Sequence, residues 1–185
     1  MVKTSSKKKR KSWYNIVAPK QFGSRIVGTT PAFEESQLKS RILQVNLSEL
    51  TGDHKHQSLK AYLGLSNIKA QDVETEIVGF ELNPSTLKRV VKKQKSRGDL
   101  SKTYETSDCK VRLKFVYVTR KKASGGVLGA IGKKIDEVVT PELKKMKYDE
   151  LVDSFTSRKL QTGLKKSLNK IYPLSFCEIR SMRRM

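Results

Sequence analysis

Apolar residues recur at two different periods along this chain, first every second position and later every third or fourth. In Arg41-Ile42-Leu43-Gln44-Val45-Asn46-Leu47, the residues Leu43, Val45 and Leu47 alternate with mostly polar neighbours, which predicts a half-buried strand. Residues 58–68 and 73–82 mix apolar and polar positions and flank the turn-like Lys69-Ala70-Gln71-Asp72, so a hairpin is predicted there. Asn83-Pro84 reads as a helix cap followed by proline at the first helical position, with Leu87, Val90 and Val91 at helical spacing. That helix is expected to turn Lys88, Arg89, Lys92, Lys93 and Lys95 outward and to stop near Gly98. The clearest strand covers 109–119. Val111, Leu113, Phe115 and Tyr117 share one face, Lys110, Arg112 and Lys114 begin the other, and Val116 and Val118 complete it. The basic end of that second face is expected to stay open to solvent or a partner.

Beyond Arg120-Lys121-Lys122 lies a glycine-rich stretch over 124–134, expected to be flexible until something holds it. Helical spacing follows. Ile131, Ile135, Val138 and Val139 share a face, Thr140-Pro141 restarts a turn, and two further stripes consist of Tyr148, Leu151, Val152 and Phe155, then Leu160, Leu164, Leu168 and Ile171. Tyr172-Pro173 ends the helices, and residues 174–182 can return as a strand. Strands first, helices inserted and appended, then a final strand predict an α+β fold on an antiparallel sheet or small β-barrel. Residues 1–12 carry the run Lys7-Lys8-Lys9-Arg10-Lys11 and no apolar residue after Val2, so they read as a disordered basic arm. Residues 13–185 read as a single α+β RNA-binding domain in which 120–134 is a flexible basic loop. Trp13, the only tryptophan, stands at the junction and reads as a packing anchor, with stacking on a nucleic-acid base as the alternative.

Charge narrows the function. Among 185 residues, 39 Lys and Arg stand against 18 Asp and Glu, a formal charge of +21. A small domain with that excess repels itself unless negative charge is close by, so the partner is a polyanion. Leu, Ile, Val and Phe make up about a quarter of the chain, above the roughly 20% below which high charge implies disorder. No apolar stretch approaches a membrane span and no signal sequence is apparent, so no membrane is expected as a partner. Cys109 and Cys177 lie far apart in a lysine-rich chain, which fits a reducing, cytoplasmic setting.

Catalytic readings fail on spacing. His54, His56, Cys109 and Cys177 have the number of ligands a zinc site needs but not the close pairs, so no metal or cofactor is expected. Gly132-Lys133 resembles the end of a phosphate loop. Val127 stands where the pattern requires glycine, and Lys134 where it requires the hydroxyl that holds magnesium. Backbone amides beside Lys133 and Lys134 could still meet an RNA phosphate. The histidines sit in the polar stretch 51–56, a surface loop with no nucleophile to serve. Arg97-Gly98-Asp99 is read as a helix end with a turn, and the glycosylation pattern Asn46-Leu47-Ser48 is set aside for an intracellular chain. Neither an enzyme nor a small-molecule substrate is indicated.

Basic residues cluster at 7–11, 88–97, 110–122, 133–134, 144–147, 159–170 and 180–184. A sequence-reading DNA module concentrates its cations on one helix, whereas charge on arm, strand, helices and tail suits a body set into folded RNA. The candidate RNA contacts are Lys7, Lys8, Lys9, Arg10, Lys11, Lys88, Arg89, Lys92, Lys93, Arg97, Arg120, Lys121, Lys122, Lys133, Lys134, Arg183 and Arg184. The alternative is a free RNA-binding or RNA-annealing protein.

Trp13-Tyr14 with Ala18-Pro19, the strand from Arg41 followed by Ser48-Glu49-Leu50, the segment 79–93, the strand 111–119 with Arg120-Lys121-Lys122, and Ile171-Tyr172-Pro173-Leu174 occur in this order. In these pieces the sequence resembles the archaeal and eukaryotic small-subunit ribosomal proteins called S-one of eukaryotic type, or S-three-a. The resemblance implies a structural constituent of the small subunit, bound to ribosomal RNA on the platform near the messenger exit and the 3′ end of that RNA. It also implies contact with neighbouring small-subunit ribosomal proteins, access to messenger RNA at the exit, and no enzymatic activity. The chain stops just after its last basic strand, where eukaryotic members carry an extension, which points to the short archaeal form.

Overall fold

In the computed structural model, which describes residues 10–185, both periods are realised. Among the described residues there are eight strands, β1 (Ser12–Val17), β2 (Ile26–Ala32), β3 (Ile42–Asn46), β4 (Leu59–Lys69), β5 (Asp72–Leu82), β6 (Arg97–Glu105), β7 (Lys110–Thr119) and β8 (Leu174–Arg184). Five α-helices accompany them, α1 (Leu47–Thr51), α2 (Pro84–Val90), α3 (Gly125–Lys145), α4 (Tyr148–Thr156) and α5 (Lys159–Leu168). The class is α+β, as expected. The chain divides into two compact units. The first runs to Gln57 and includes Ala61–Val78; the second holds Ser58–Lys60 and Gly79–Met185.

In the first unit β1 lies between β2, antiparallel, and β5, parallel from Asn15 opposite Asp72 to Val17 opposite Glu74. That parallel pair makes the strand arrangement mixed rather than purely antiparallel. Tyr14 and Ile16, two apart on β1, bury one face with Ala32, Leu38, Leu65 and Val73. The strand expected through Leu47 stops one residue earlier. The Asn46 carboxamide accepts from the Ser48 N–H at 3.2 Å and starts α1, which ends on Gly52 at φ 78°. The β4–β5 hairpin is found where the turn signal stood, with Ala70 at φ 54°. His56 is buried in a short turn, not exposed in a loop. Trp13 departs furthest from expectation. It is 65% exposed, because the alternation on β1 sends Tyr14, not Trp13, inward.

In the second unit the antiparallel order is β5-β8-β7-β6. Val111, Leu113, Phe115 and Tyr117 are buried, Lys110, Arg112 and Lys114 exposed, and Val116 and Val118 buried, as the alternation of β7 implied. Phe80 stacks on Phe155 of α4 at 4.9 Å, and Tyr104 meets Phe115 edge-on at 6.4 Å. The three helical stripes are buried at Ile131, Ile135, Val139 and Leu143, at Tyr148, Leu151, Val152 and Phe155, and at Leu160, Leu164 and Leu168. Each such side chain contributes about 1.5–3 kcal/mol. Ile171, at 43% exposure, lies outside its expected stripe.

Three expectations are overturned here. The helix after Pro84 ends at Val90, leaving Lys92 and Lys93 in the following turn. Arg97-Gly98-Asp99 opens strand β6, where Arg97 pairs with Asp99 at 2.7 Å. This edge strand has a single buried side chain, Tyr104, and so no apolar alternation to read. The stretch expected as a loop is helix from Gly125, and it continues through Pro141 without restarting. Gly125, Gly126 and Gly129 each cost that helix about 0.8–1.0 kcal/mol relative to alanine. Tertiary contacts outweigh this cost. The Tyr117 hydroxyl donates to the Leu128 carbonyl at 2.8 Å, and Tyr104 and Lys102 of β6 both bond Asp136, at 2.5 and 3.1 Å. The buried Val139 and Leu143 flank Pro141, where a helical hydrogen bond is lost.

The Tyr117 bond depends on Gly98, since a methyl there would sit 2.3 Å from the Tyr117 ring. Gly98→Ala is expected to expel the ring and destabilise the protein by about 1–3 kcal/mol, lowering Tm in calorimetry, with faster amide exchange in the first turns of α3. Tyr117→Phe should cost only about 0.5–1.5 kcal/mol.

Glu178 gives a second test. Arg158, at φ 58° before α5, approaches its carboxylate at 3.4 Å. Burial nevertheless raises the Glu178 carboxyl above its ordinary value, outweighing Arg158 and Lys165. A carboxyl raised in the folded state binds its proton more tightly there than when unfolded, so acidification favours folding. Relative to Glu178→Gln, the wild type should gain stability in thermal melts as pH falls from 7 towards 4.5. A constant difference between the two would rule out this effect.

Candidate nucleic-acid interface

The ladder of β7 and β8 sets Arg112 directly opposite Arg183 and Lys114 opposite Ser181. On the far side of β8, Gly79 pairs with Arg183 and Glu81 with Ser181. Residues opposite one another share a face, so Arg112, Lys114, Arg183 and Glu81 line the surface turned away from Phe80, Leu113 and Met182, which are buried. Pairing then jumps from Lys114 opposite Ser181 to Phe115 opposite Ile179. Arg180 is the extra residue of this β-bulge, and the bulge adds its side chain to the same surface. Arg112, Lys114, Arg180, Arg183, Ser181 and Glu81 surround a cleft of about 150 Å³. The carboxylate of Glu81 reaches Arg183 at 4.0 Å, and it is the one acid in a lining that holds four cations.

Like charges directly opposite one another on a sheet destabilise it, and Arg112 against Arg183 is such a pair. The arrangement suits an anion with several oxygens, which guanidinium groups bind bidentately. No aromatic side chain lines this cleft. Its lining therefore offers charge and hydrogen-bond donors and no ring on which a base could stack.

A second cationic group forms at the other end of β7, roughly 25 Å along the strand from Arg112. Ser96 joins the two connections there. Its hydroxyl accepts from Ala123 N–H at 3.0 Å, and its own N–H donates to the Thr119 hydroxyl at 3.0 Å. The connection 120–123 is tied further by Tyr172, whose hydroxyl donates to the Lys122 carbonyl at 3.2 Å, and by Arg120 N–H donating to the Pro173 carbonyl at 3.1 Å. The backbone expected to await a partner is thus already bonded within the chain. These bonds bring Lys92 and Lys93 to the same end as Arg120, Lys121 and Lys122, all exposed.

The other sequence candidates are dispersed. Lys7, Lys8 and Lys9 lie outside the described residues. Arg10 and Lys11 are exposed ahead of β1, and Lys88 and Arg89 on α2. Lys133 is exposed, while Lys134 is engaged by Glu137 at 2.9 Å. Both lie well inside α3, where helical bonding occupies their amides, so only their side chains can reach a phosphate. The Arg184 guanidinium lies 5.5 Å over the Tyr148 ring. Arg112, Lys114 and Arg180 were absent from the candidate set, although the first two belong to the face the sequence marked as open. Arg180 depended on a bulge that no local pattern announces.

Among the described residues no group of His, Cys, Asp and Glu could hold a metal ion, and no helix is long and apolar enough to cross a membrane. Cys177 is buried, and burial pushes its thiol up to about 12, leaving it unreactive at neutral pH.

Comparison with known proteins covers almost the whole chain. The model of the Ribosomal S3Ae family matches residues 2–185. A protein of Sulfurisphaera tokodaii named small ribosomal subunit protein eS1 is 30% identical over 176 residues, which is 95% of this chain and 91% of that one. Proteins of the same name from Haloarcula marismortui and Saccharolobus islandicus are 28% and 29% identical over 95% of this chain, covering 83% and 85% of their own lengths. With a family model matched over nearly the whole chain and relatives similar to it over 95% of its length, the chain belongs to the ribosomal S3Ae family.

Proposed function

We propose that this protein is a non-enzymatic structural constituent of the small ribosomal subunit, seated against ribosomal RNA through the exposed cations of its second unit. Its family and the shared name of its relatives support the ribosomal part of the reading. The observation that carries the RNA part is the placing of Arg112, Arg180 and Arg183, with Lys114, around one cleft on an exposed sheet face whose lining holds a single carboxylate, Glu81. Lys92, Lys93, Arg120, Lys121 and Lys122 supply a second point of phosphate contact at the far end of β7. Two separated contacts fix orientation as well as affinity, which is what a structural protein contributes to an RNA assembly. A position on the platform near the messenger exit, beside other small-subunit proteins and within reach of messenger RNA, belongs to the same proposal.

Salt dependence tests the docking. If about eight phosphates are neutralised, the slope of log affinity against log salt should lie near −6 to −7. Replacing Arg112, Arg180 and Arg183 together by alanine should make that slope shallower by about 2–3 and leave Tm unchanged or raised. A wild-type slope shallower than about −2, or a slope unmoved by the triple replacement, counts against the cleft. The ribosomal role is checked by cosedimentation: the protein should remain stoichiometric with salt-washed small subunits.

A further inference from the structure

The outward face of β1 and β2 carries side chains that neither the core nor the basic cleft uses. Trp13 is 65% exposed and Phe33 45%. Trp13 lies opposite Pro31 and Ser12 opposite Ala32, where the ladder ends, and Lys11 and Phe33 are the next residues of the two chains beyond it. The contact agrees with this register, since Lys11 Nζ stands 5.2 Å over the centre of the Phe33 ring. Two positions from Trp13 in the other direction, Asn15 lies opposite Thr29. All these residues alternate with the inward-facing Tyr14, Ile16 and Ala32. The face therefore reads, in order, a cation on an aromatic ring, an indole beside a proline, and an amide beside a hydroxyl.

Scattered exposed apolar residues are ordinary, but an indole on β1 with an aromatic ring one residue beyond β2, on the same exposed side, is a pair of rings that calls for a partner. Diagonal neighbours on adjacent strands are about 7–8 Å apart, which lets Trp13 and Phe33 take two successive bases of an extended strand. Arg10 and Lys11 are exposed at the same end, and the exposed Thr29 continues the line, the Asn15 amide being held by the Asp72 carboxylate at 3.0 Å. Stacking surface flanked by cations is the composition by which proteins bind single-stranded nucleic acid.

We infer that Trp13 and Phe33 form a stacking platform for unpaired bases of RNA, with Lys11 and Arg10 meeting the adjoining phosphates. This rests on the reading of the protein as an RNA binder and adds a second mode of contact, to bases instead of backbone. Arg10 and Lys11 on the β1 side favour RNA over a protein partner, while the exposed Glu34 and Glu35 follow Phe33 on the other side and leave the cations to one edge of the platform.

Trp13 is the only tryptophan, so its fluorescence reports this face alone. The full chain is titrated with a short uridine homopolymer and with an RNA duplex, each end-labelled so that anisotropy records binding independently. The platform requires that the single strand quench Trp13 emission and that the duplex bind without doing so. Trp13→Ala should weaken single-strand binding about five-fold or more, with duplex binding and the thermal melt unchanged; Trp13→Phe should restore most of the affinity. Single-strand binding with unaltered emission overturns the platform and leaves the RNA reading intact. Absence of binding to either RNA overturns the RNA reading itself. An emission change caused by RNA-free small-subunit proteins, and not by RNA, overturns the platform in favour of a protein contact.

Discussion

Strand β7 is paired on both sides, to β6 and to β8, and the second unit is organised around these two ladders. Its inward residues, from Val111 to Tyr117, give the helices a surface to cover. Tyr117 also reaches past the sheet to hold the first turns of α3 by the Leu128 carbonyl. Its outward residues meet the end of β8 and set Arg112 against Arg183. One strand thus fixes both the apolar core and the charged surface, because a period of two allows no side chain to serve both faces. Moving it by one residue would exchange the two sets.

The two faces pull in opposite energetic directions. Burial of Leu113, Phe115 and their neighbours drives folding, whereas the cations on the other side oppose it in the absence of an anion. The net charge of +21 extends the same opposition to the whole chain. Such a protein reaches its greatest stability in the bound state, since a ligand that meets only the folded form adds its binding energy to folding. Glu81 shows how little internal compensation exists, as the single carboxylate within the arginine-lined cleft.

Much of this was legible in the sequence where pattern and packing agree. The strand 109–119, the 58–82 hairpin, the Asn83-Pro84 helix start and the stripes of α4 and α5 follow from periods of 2 and 3.6 residues, because each element buries one continuous face. What escaped were elements held by something other than their own face. Strand β6 has a single buried side chain and is held by its ladder to β7. The glycine-rich turns of α3 run against propensity and are held by Tyr117 from another strand. Trp13 reads as an anchor from its place at the junction of arm and fold, while alternation on β1 gives the buried position to Tyr14. The cations were legible as clusters but not as a site, since only hydrogen bonds between distant segments set Arg112 opposite Arg183 and bring the segments of Lys93 and Lys121 to one end of β7.

The bulge in β8 has a further implication. Were Arg180 absent, Ile179 would still face Phe115 and Ser181 would still face Lys114, and the strand would run on with inward and outward residues in regular alternation. The ladder has no need of this residue. It is a passenger on the sheet, carried outside the count of pairs, and the kink it imposes is the means by which a regular strand delivers one guanidinium more than its geometry would otherwise allow.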